Sequence, residues 1–260
     1  MIKFEKYQGT GNDFILIQPQ SVDLRVLAQQ LCDRHFGIGA DGIMIPYPSE
    51  VADIKMEYLN SDGSPAPMCG NGLRCFVRYC INHGILQKGP ITVETLAGII
   101  DVDAQHELIS LNLGQPLLDL ENEYVIDHDE VIIDGIALHT LFLGTLHAVV
   151  IVDESLDIRP LGEKLSYHPR FPQAINVNFV EVIDRKTINV TTHERGAGWT
   201  LSCGTGSAAS AYITNLLDLT EDEVTVLVPG GELSVQCHDD VILSGPAIKI
   251  ASGLYEGEVQ

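Results

Sequence analysis

Apolar and polar positions alternate with a period of two along Ile54-Lys55-Met56-Glu57-Tyr58 and again along Ile188-Asn189-Val190-Thr191-Thr192. That spacing predicts half-buried strands. Two unbroken apolar runs, Phe14 to Ile17 and Ala148 to Val152, read as buried strands. Ser21 to Leu27 and Ser155 to Leu161 carry apolar residues at helical spacing behind a Ser or Asp cap, so each predicts an amphipathic helix. Leu73 to Tyr79 and Ser207 to Tyr212 read as two further helices. Strands outnumber helices, and turns such as Pro229-Gly230-Gly231 join them. This balance favours antiparallel or mixed sheets wrapped on a central helix over a doubly wound parallel sheet.

These elements come in pairs. Cys203 lies 134 residues after Cys69, and each cysteine directly precedes a Gly-x-Gly that reads as a turn before the following helix: Cys69-Gly70-Asn71-Gly72 and Cys203-Gly204-Thr205-Gly206. At the same offset Ser21-Val22-Asp23-Leu24-Arg25 meets Ser155-Leu156-Asp157-Ile158-Arg159, and Asn60-Ser61 meets Glu194-Arg195. One residue further apart, Gly9-Thr10-Gly11-Asn12 meets Gly144-Thr145-Leu146-His147. One residue closer, Thr92-Val93 meets Thr225-Val226. A tandem duplication explains the common order. The fold class expected is α+β, with two pseudo-symmetric domains, each a mostly antiparallel or mixed sheet around a central helix. The seam is expected near Ser110 to Gln115. Residues 1–111, joined by a returning tail 249–260, would form the half carrying Cys69, and 112–248 the half carrying Cys203.

Composition narrows the partners. The chain has 260 residues and 45% hydrophobic content, enough for two cores. A net charge of −21 argues against nucleic acid and anionic membranes. The first residues lack the apolar core of a signal peptide, and no stretch is long and apolar enough to span a bilayer, so the cytoplasm is expected. Cys32, Cys69, Cys75, Cys80, Cys203 and Cys237 are irregularly spaced and include no Cys-x-x-Cys pair, which argues against a disulfide framework and a metal site. The acidic stretch Asp119 to Asp134 reads as solvated surface.

A cysteine at a helix N-terminus sits beside free backbone N–H groups and the positive end of the helix dipole, which favours thiolate. Two halves related by a pseudo-two-fold axis would set Cys69 opposite Cys203 across a cleft. Two acid–base groups on opposite faces of one carbon suit stereoinversion. The N–H groups of Gly70, Asn71, Gly204 and Thr205 would stabilise the enolate-like carbanion. Other duplicated positions have diverged into a polar set, Asn12, Asn60, Asn176 and Arg195 with His147 and Glu194. Taken singly, each has a bland reading as a cap, a core histidine or a surface pair.

The chain resembles the diaminopimelate epimerase family through Gly9-Thr10-Gly11-Asn12-Asp13-Phe14, Gly39-Ala40-Asp41-Gly42, Asn60-Ser61-Asp62-Gly63, Met68-Cys69-Gly70-Asn71-Gly72-Leu73-Arg74-Cys75, Asn176-Val177-Asn178-Phe179, Glu194-Arg195-Gly196-Ala197-Gly198 and Cys203-Gly204-Thr205-Gly206. The resemblance implies a cofactor-independent conversion of L,L- to meso-diaminopimelate for lysine and peptidoglycan synthesis. It implies that Cys69 and Cys203 are the bases and that His147 and Glu194 adjust their protonation. It further implies that Asn12, Asn60, Asn176 and Arg195 hold the distal end of the substrate. Gly144-Thr145-Leu146-His147 stands where the family usually has Gly-Asn-Pro-His, and Trp199 is unusual before Cys203. The partners expected are one small zwitterionic amino acid and a second copy in a homodimer. The alternative is a racemase of the same fold acting on another amino acid, such as histidine. Proline as substrate would leave Arg195 without a distal carboxylate. A pyridoxal phosphate enzyme is disfavoured because no motif contains a lysine. A non-catalytic binder would not need both cysteines, and a thiol redox protein would be expected to carry Cys-x-x-Cys.

Overall fold

The computed structural model describes residues 1–118, 130–153 and 156–257. Most of the acidic stretch (119–129) and Ser155, the expected cap of the second amphipathic helix, lie outside the described residues. Two compact units are present, Met1–Leu111 with Gly245–Gln260, and Asn112–Ser244. The chain therefore re-enters the first unit at Gly245, a little before the position 249 expected. Among the described residues, no helix is long and apolar enough to cross a membrane.

The first unit contains β1 (Ile2–Gly9), β2 (Asn12–Ile17), α1 (Leu24–Cys32), β3 (Gly42–Tyr47), β4 (Ile54–Asn60), α2 (Gly70–Asn82), β5 (Pro90–Thr95), β6 (Gly98–Asp103) and β7 (Ile109–Asn112). Pairing runs β1–β2–β3–β4–β5–β6–β7, parallel at β2–β3 and β4–β5 and antiparallel elsewhere. The sheet is mixed and wraps α2, which is buried along almost its whole length. A short helix, α1, covers the other face, where Leu27, Ala28 and Leu31 pack with Ile15, Ile17, Ile43 and Ile45. Strand β2 is thus covered on both sides, which is why Phe14 to Ile17 reads as an unbroken apolar run.

The second unit contains β8 (Val131–Ile133), β9 (Ile136–Leu143), β10 (Thr145–Ile151), α3 (Leu161–Ser166), β11 (Asn176–Asp184), β12 (Thr187–Glu194), β13 (Gly198–Trp199), α4 (Gly204–Leu216), β14 (Glu223–Val228), β15 (Gly231–Cys237) and β16 (Val241–Gly245). Its pairing repeats that of the first unit, parallel at β10–β11 and β12–β14 and antiparallel at β9–β10, β11–β12, β14–β15 and β15–β16. The remaining strand, β17 (Ile248–Tyr255), pairs antiparallel with β1 in the first unit, in the role that β8 takes beside β9. Ala208, Ala209 and Ala211 of α4 pack on one side of the second sheet. Leu165 of α3 lies in a cluster on the other, with Ala148, Val150 and Val177.

Two local expectations need correction. Helix α3 begins only at Leu161, because Pro160 supplies its N-cap and disfavours helix at the preceding residue. The Gly-x-Gly sequences are not turns before helices but the first helical turns themselves. Packing explains the second glycine of each. A Cβ on Gly72 would stand 2.0 Å from Met44 Cε, and one on Gly206 would stand 2.2 Å from Asn178 Oδ1.

Candidate functional site

Cys69 is the N-cap of α2, in extended backbone and with no side-chain cap of its own. The sulfur therefore stands at the end of the helix where backbone donors have no partner within the helix. Its Sγ donates to Asn12 Oδ1 at 3.3 Å. Asn12 Nδ2 donates in turn to Asp41 Oδ2. Asp41 also accepts from the backbone N–H of Asp13 (3.1 Å) and from Arg34 (2.8 Å). Burial raises the Asp13 carboxyl, but Arg34 and Lys6 hold it below its ordinary value. Asn12 enters β2 from a hairpin whose two central residues, Thr10 and Gly11, both have positive φ (49° and 87°), as a type I′ turn requires. For a β-branched residue such as Thr10 that conformation is strained. Thr10 is nonetheless buried, and its Oγ1 donates to Asn71 Oδ1 at 3.3 Å. Asn71 Oδ1 also accepts from Arg74 Nη2 at 2.9 Å.

Cys203 caps α4 in the same way, but its surroundings differ. Its Sγ lies 3.7 Å from Thr205 Oγ1, and Thr205 Oγ1 lies 3.0 Å from His147 Nε2. His147 Nδ1 lies 3.2 Å from Asn178 Nδ2. Asn178 Nδ2 also donates to the Ala148 carbonyl, and Asn178 Oδ1 accepts from Thr192, so the amide orientation is fixed. Nδ1 is therefore the acceptor, and Nε2 carries the hydrogen and points it at Thr205. Burial, with Arg195 adding to it, pushes His147 down to about 3. The ring is neutral at any ordinary pH.

Arg195 is presented by a hairpin turn in which Gly196 has φ +82°. Its guanidinium donates to the Gln173 carbonyl (3.1 Å) and to Thr145 Oγ1 (3.2 Å), and its backbone N–H donates to Asn176 Oδ1 (2.9 Å). Asn176 is the parallel partner of His147 across β10–β11. Glu194 Oε1 accepts from Thr200 at 2.7 Å. Asn60 ends β4, its amide held by Ser64 (3.1 Å) in the following turn. Trp199 packs against Phe179, His193 and the Arg159 guanidinium, over the space that Gly162 leaves.

Cys69, Asn12, Asn71 and their partners thus form one hydrogen-bonded set, and Cys203, Thr205 and His147 another. A third set joins Arg195, Asn176 and Thr145. Asn60 and Glu194 end β4 and β12. By strand register Gly42 pairs with Phe14 and Asn176 with His147. His147 therefore matches Phe14 rather than Asn12, and Thr145 takes the position of Asn12. The reason is a shorter hairpin, with Gly144 alone turning the chain where Thr10-Gly11 does so in the first half. Several residues in these sets were not singled out from the sequence, among them Asn178, Arg74 and Asp41. Asn178 shares a strand face with Asn176, and that spacing was the available signal. Arg74 was visible as a charge set among Leu73, Cys75, Phe76 and Val77. Asp41 carried no signal beyond its motif. Among the described residues, no group of three or more His, Cys, Asp or Glu side chains is arranged to hold a metal.

Comparison with known proteins matches residues 4–118 and 140–250 to the diaminopimelate epimerase family model. The diaminopimelate epimerase of Alkaliphilus metalliredigens is 40% identical over 98% of this chain and 97% of that protein. That of Caldanaerobacter subterraneus subsp. tengcongensis is 40% identical over the full length of both. Among solved structures, a hydroxyproline epimerase from Agrobacterium vitis has a TM-score of 0.68 at 14% identity, covering 97% of this chain and 91% of that one. A PhzF-family phenazine biosynthesis protein of Enterococcus faecalis has a TM-score of 0.70 at 13% identity, covering 97% and 98%. These structures share the fold. The duplicated pattern is therefore that of a known architecture, and the chain belongs to the diaminopimelate epimerase family.

Proposed function

We propose that this protein inverts the configuration at one α-carbon of diaminopimelate, interconverting the L,L and meso forms without a cofactor, with Cys69 and Cys203 as the two acid–base groups. The observation that carries the reading is the duplicated cysteine N-cap, in a chain 40% identical to diaminopimelate epimerases over its whole length. One thiolate takes the Cα proton, and the thiol on the opposite face delivers its own proton to the other side of the carbon. Between the two transfers the electron pair spreads onto the α-carboxylate. The backbone N–H groups at the starts of α2 and α4, from Gly70, Asn71, Gly204 and Thr205, are the donors proposed to hold it.

His147 acts on Cys203 through Thr205, and Glu194 tunes protonation from the end of β12. Arg195 takes the distal carboxylate in a forked grip, with Asn12, Asn60 and Asn176 completing the distal site. A homodimer in the cytoplasm is part of the proposal, supported by the exposed Ile248, Ile250 and Leu254 of β17, and sedimentation would test it. The deciding experiment incubates the protein with L,L-diaminopimelate in heavy water with no added cofactor. Meso product carrying deuterium at Cα is expected. Turnover of histidine or lysine faster than diaminopimelate would transfer the mechanism to another substrate, and no exchange with any amino acid would overturn it.

A further inference from the structure

We infer that Arg74 and the Asp41–Asn12 pair are opposed positioning residues that set the proton affinity of Cys69 from two sides. The inference rests on the reading that Cys69 carries protons, since a sulfur that must both take and return one is best balanced between its two forms.

One arm favours the thiol. Asp41 accepts from Asn12 Nδ2, so the amide cannot turn, and it leaves Oδ1 facing Cys69 Sγ at 3.3 Å. An amide oxygen only accepts. The contact is made with the thiol and lost with the thiolate.

The other arm favours the thiolate. Among the described residues Arg74 is the largest fully buried side chain, at 0% exposure. Its hydrogen bonds go to neutral oxygens: the Pro246 carbonyl (3.2 Å), Asn71 Oδ1 (2.9 Å) and Thr10 Oγ1 (3.4 Å). Its Nη1 has no hydrogen-bond partner. Among the described residues no carboxylate forms an ion pair with it. A buried cation without a counter-charge is unfavourable, and an anion at the first turn of α2 relieves it. Burial lowers the guanidinium's proton affinity, and negative charge on Cys75 or Cys69 would raise it again.

The neighbouring charges do not alter this balance. Lys6, Arg34, Asp13 and Asp41 form a cluster of two cations and two carboxylates, which leaves Arg74 uncompensated. Burial pushes the Cys75 thiol up to about 12 and raises the Tyr7 hydroxyl, so both stay neutral. In α4 the residue at the position of Arg74 is Ala208. Cys203 therefore has no cation at that position of its helix and serves as an internal control.

The test measures iodoacetamide alkylation of each cysteine by peptide mass spectrometry, without substrate, across roughly pH 5 to 10. Arg74→Met should move the Cys69 midpoint up and slow its alkylation at neutral pH by about tenfold. Asp41→Asn should move it down and speed alkylation about threefold, because a charge is removed and an amide at 41 can donate to Asn12 as well as accept from it, so Asn12 can turn its Nδ2 towards the sulfur. Cys203 should be unmoved in both, and Arg74→Lys should restore the first shift. A Cys69 midpoint that stays put in either folded variant, or moves the same way in both, overturns the inference. Should Arg74→Met not fold, Asp41→Asn still decides, since an unmoved or raised midpoint there is enough to overturn it. No turnover is needed, so the outcome is independent of which amino acid the protein epimerises.

Discussion

The N-terminus of α2 is backed by charge, whereas that of α4 is backed by a chain of neutral hydrogen bonds. Both helices begin with the same cysteine N-cap and the same Gly-x-Gly first turn, and both are enclosed by strands in the same pairing order. Behind the first lie Arg74, Asp41 and Arg34, and behind the second lie Thr205, His147 and Asn178. Duplication has preserved what the backbone supplies, namely an array of N–H donors and a sulfur beside it. It has freed the side chains behind each sulfur to diverge. A reaction that needs two proton carriers on opposite faces of one carbon needs the same geometry twice, but the two sulfurs need not hold their protons equally.

The largest effect is expected where the halves are alike. Cys69→Ala and Cys203→Ala should each lower stereoinversion by ~10³-fold or more, since each face of the carbon needs its own proton carrier. Cys32→Ala and Cys237→Ala should leave turnover near wild type, because burial pushes both thiols up to about 12 and keeps them inert. Steady-state rates with L,L-diaminopimelate would check this, and substantial turnover by either of the first two variants would defeat the two-base scheme.

Next comes the second glycine of each first turn, where the halves differ in what stands opposite. At Gly206 an added Cβ meets Asn178 Oδ1, held in place by Thr192 and the His147 network. At Gly72 it meets the terminal methyl of Met44, which can swing aside. Gly206→Ala should cost about 3 kcal/mol and Gly72→Ala about 1 kcal/mol in denaturant unfolding. Equal costs would mean that Asn178 is as yielding as Met44.

Much of this was written in the sequence at the level of pattern. The near-constant spacing between halves exposed the duplication. Period-two alternation marked β4 and β12, and both cysteines stood out as a pair. What stayed hidden depends on packing. Asp41 in Gly-Ala-Asp-Gly looks like a turn residue until Asn12 is placed beside it. Arg74 looks like an ordinary helical charge until the sheet closes over it. The start of α3 at Leu161 followed from Pro160, a local rule that the repeat pattern obscured. The match of His147 to Phe14 needed strand register, because the two hairpins differ in length.

A smaller effect separates the halves in acid. His147 is held neutral by burial, with a folded value of about 3 against an ordinary 6.5. The unfolded chain binds a proton there first, so stability falls as pH drops from 6.5 towards 3, by on the order of a few kcal/mol. In the first unit Asp13 is held below its ordinary 3.8, so that contribution is retained until pH approaches 4 and is lost below it. Hydrogen exchange followed down a pH series should show the second unit loosening first. His147→Gln should flatten its profile between pH 6.5 and 4 while leaving the first unit unchanged. If the second unit is as acid-resistant as the first, His147 is not buried neutral in solution.

The smallest effect is expected at Thr145, the second unit's counterpart of Asn12. Asn12 touches a cysteine, whereas Thr145 Oγ1 touches Arg195 Nη2 at 3.2 Å. Arg195 does not depend on that contact alone, since its other terminal nitrogen donates to the Gln173 carbonyl and its backbone N–H to Asn176. An asparagine at 145 would still offer an acceptor and would reach further. Exchanging one partially exposed hydrogen bond for another is worth about 1 kcal/mol or less. Thr145→Asn should therefore change KM for diaminopimelate by no more than about fivefold and leave kcat almost unchanged. Arg195→Ala, which removes both forked donors, should raise KM by roughly a hundredfold or more. If Thr145→Asn instead changed the preferred amino acid, the hydroxyl would be reading the substrate directly rather than bracing Arg195.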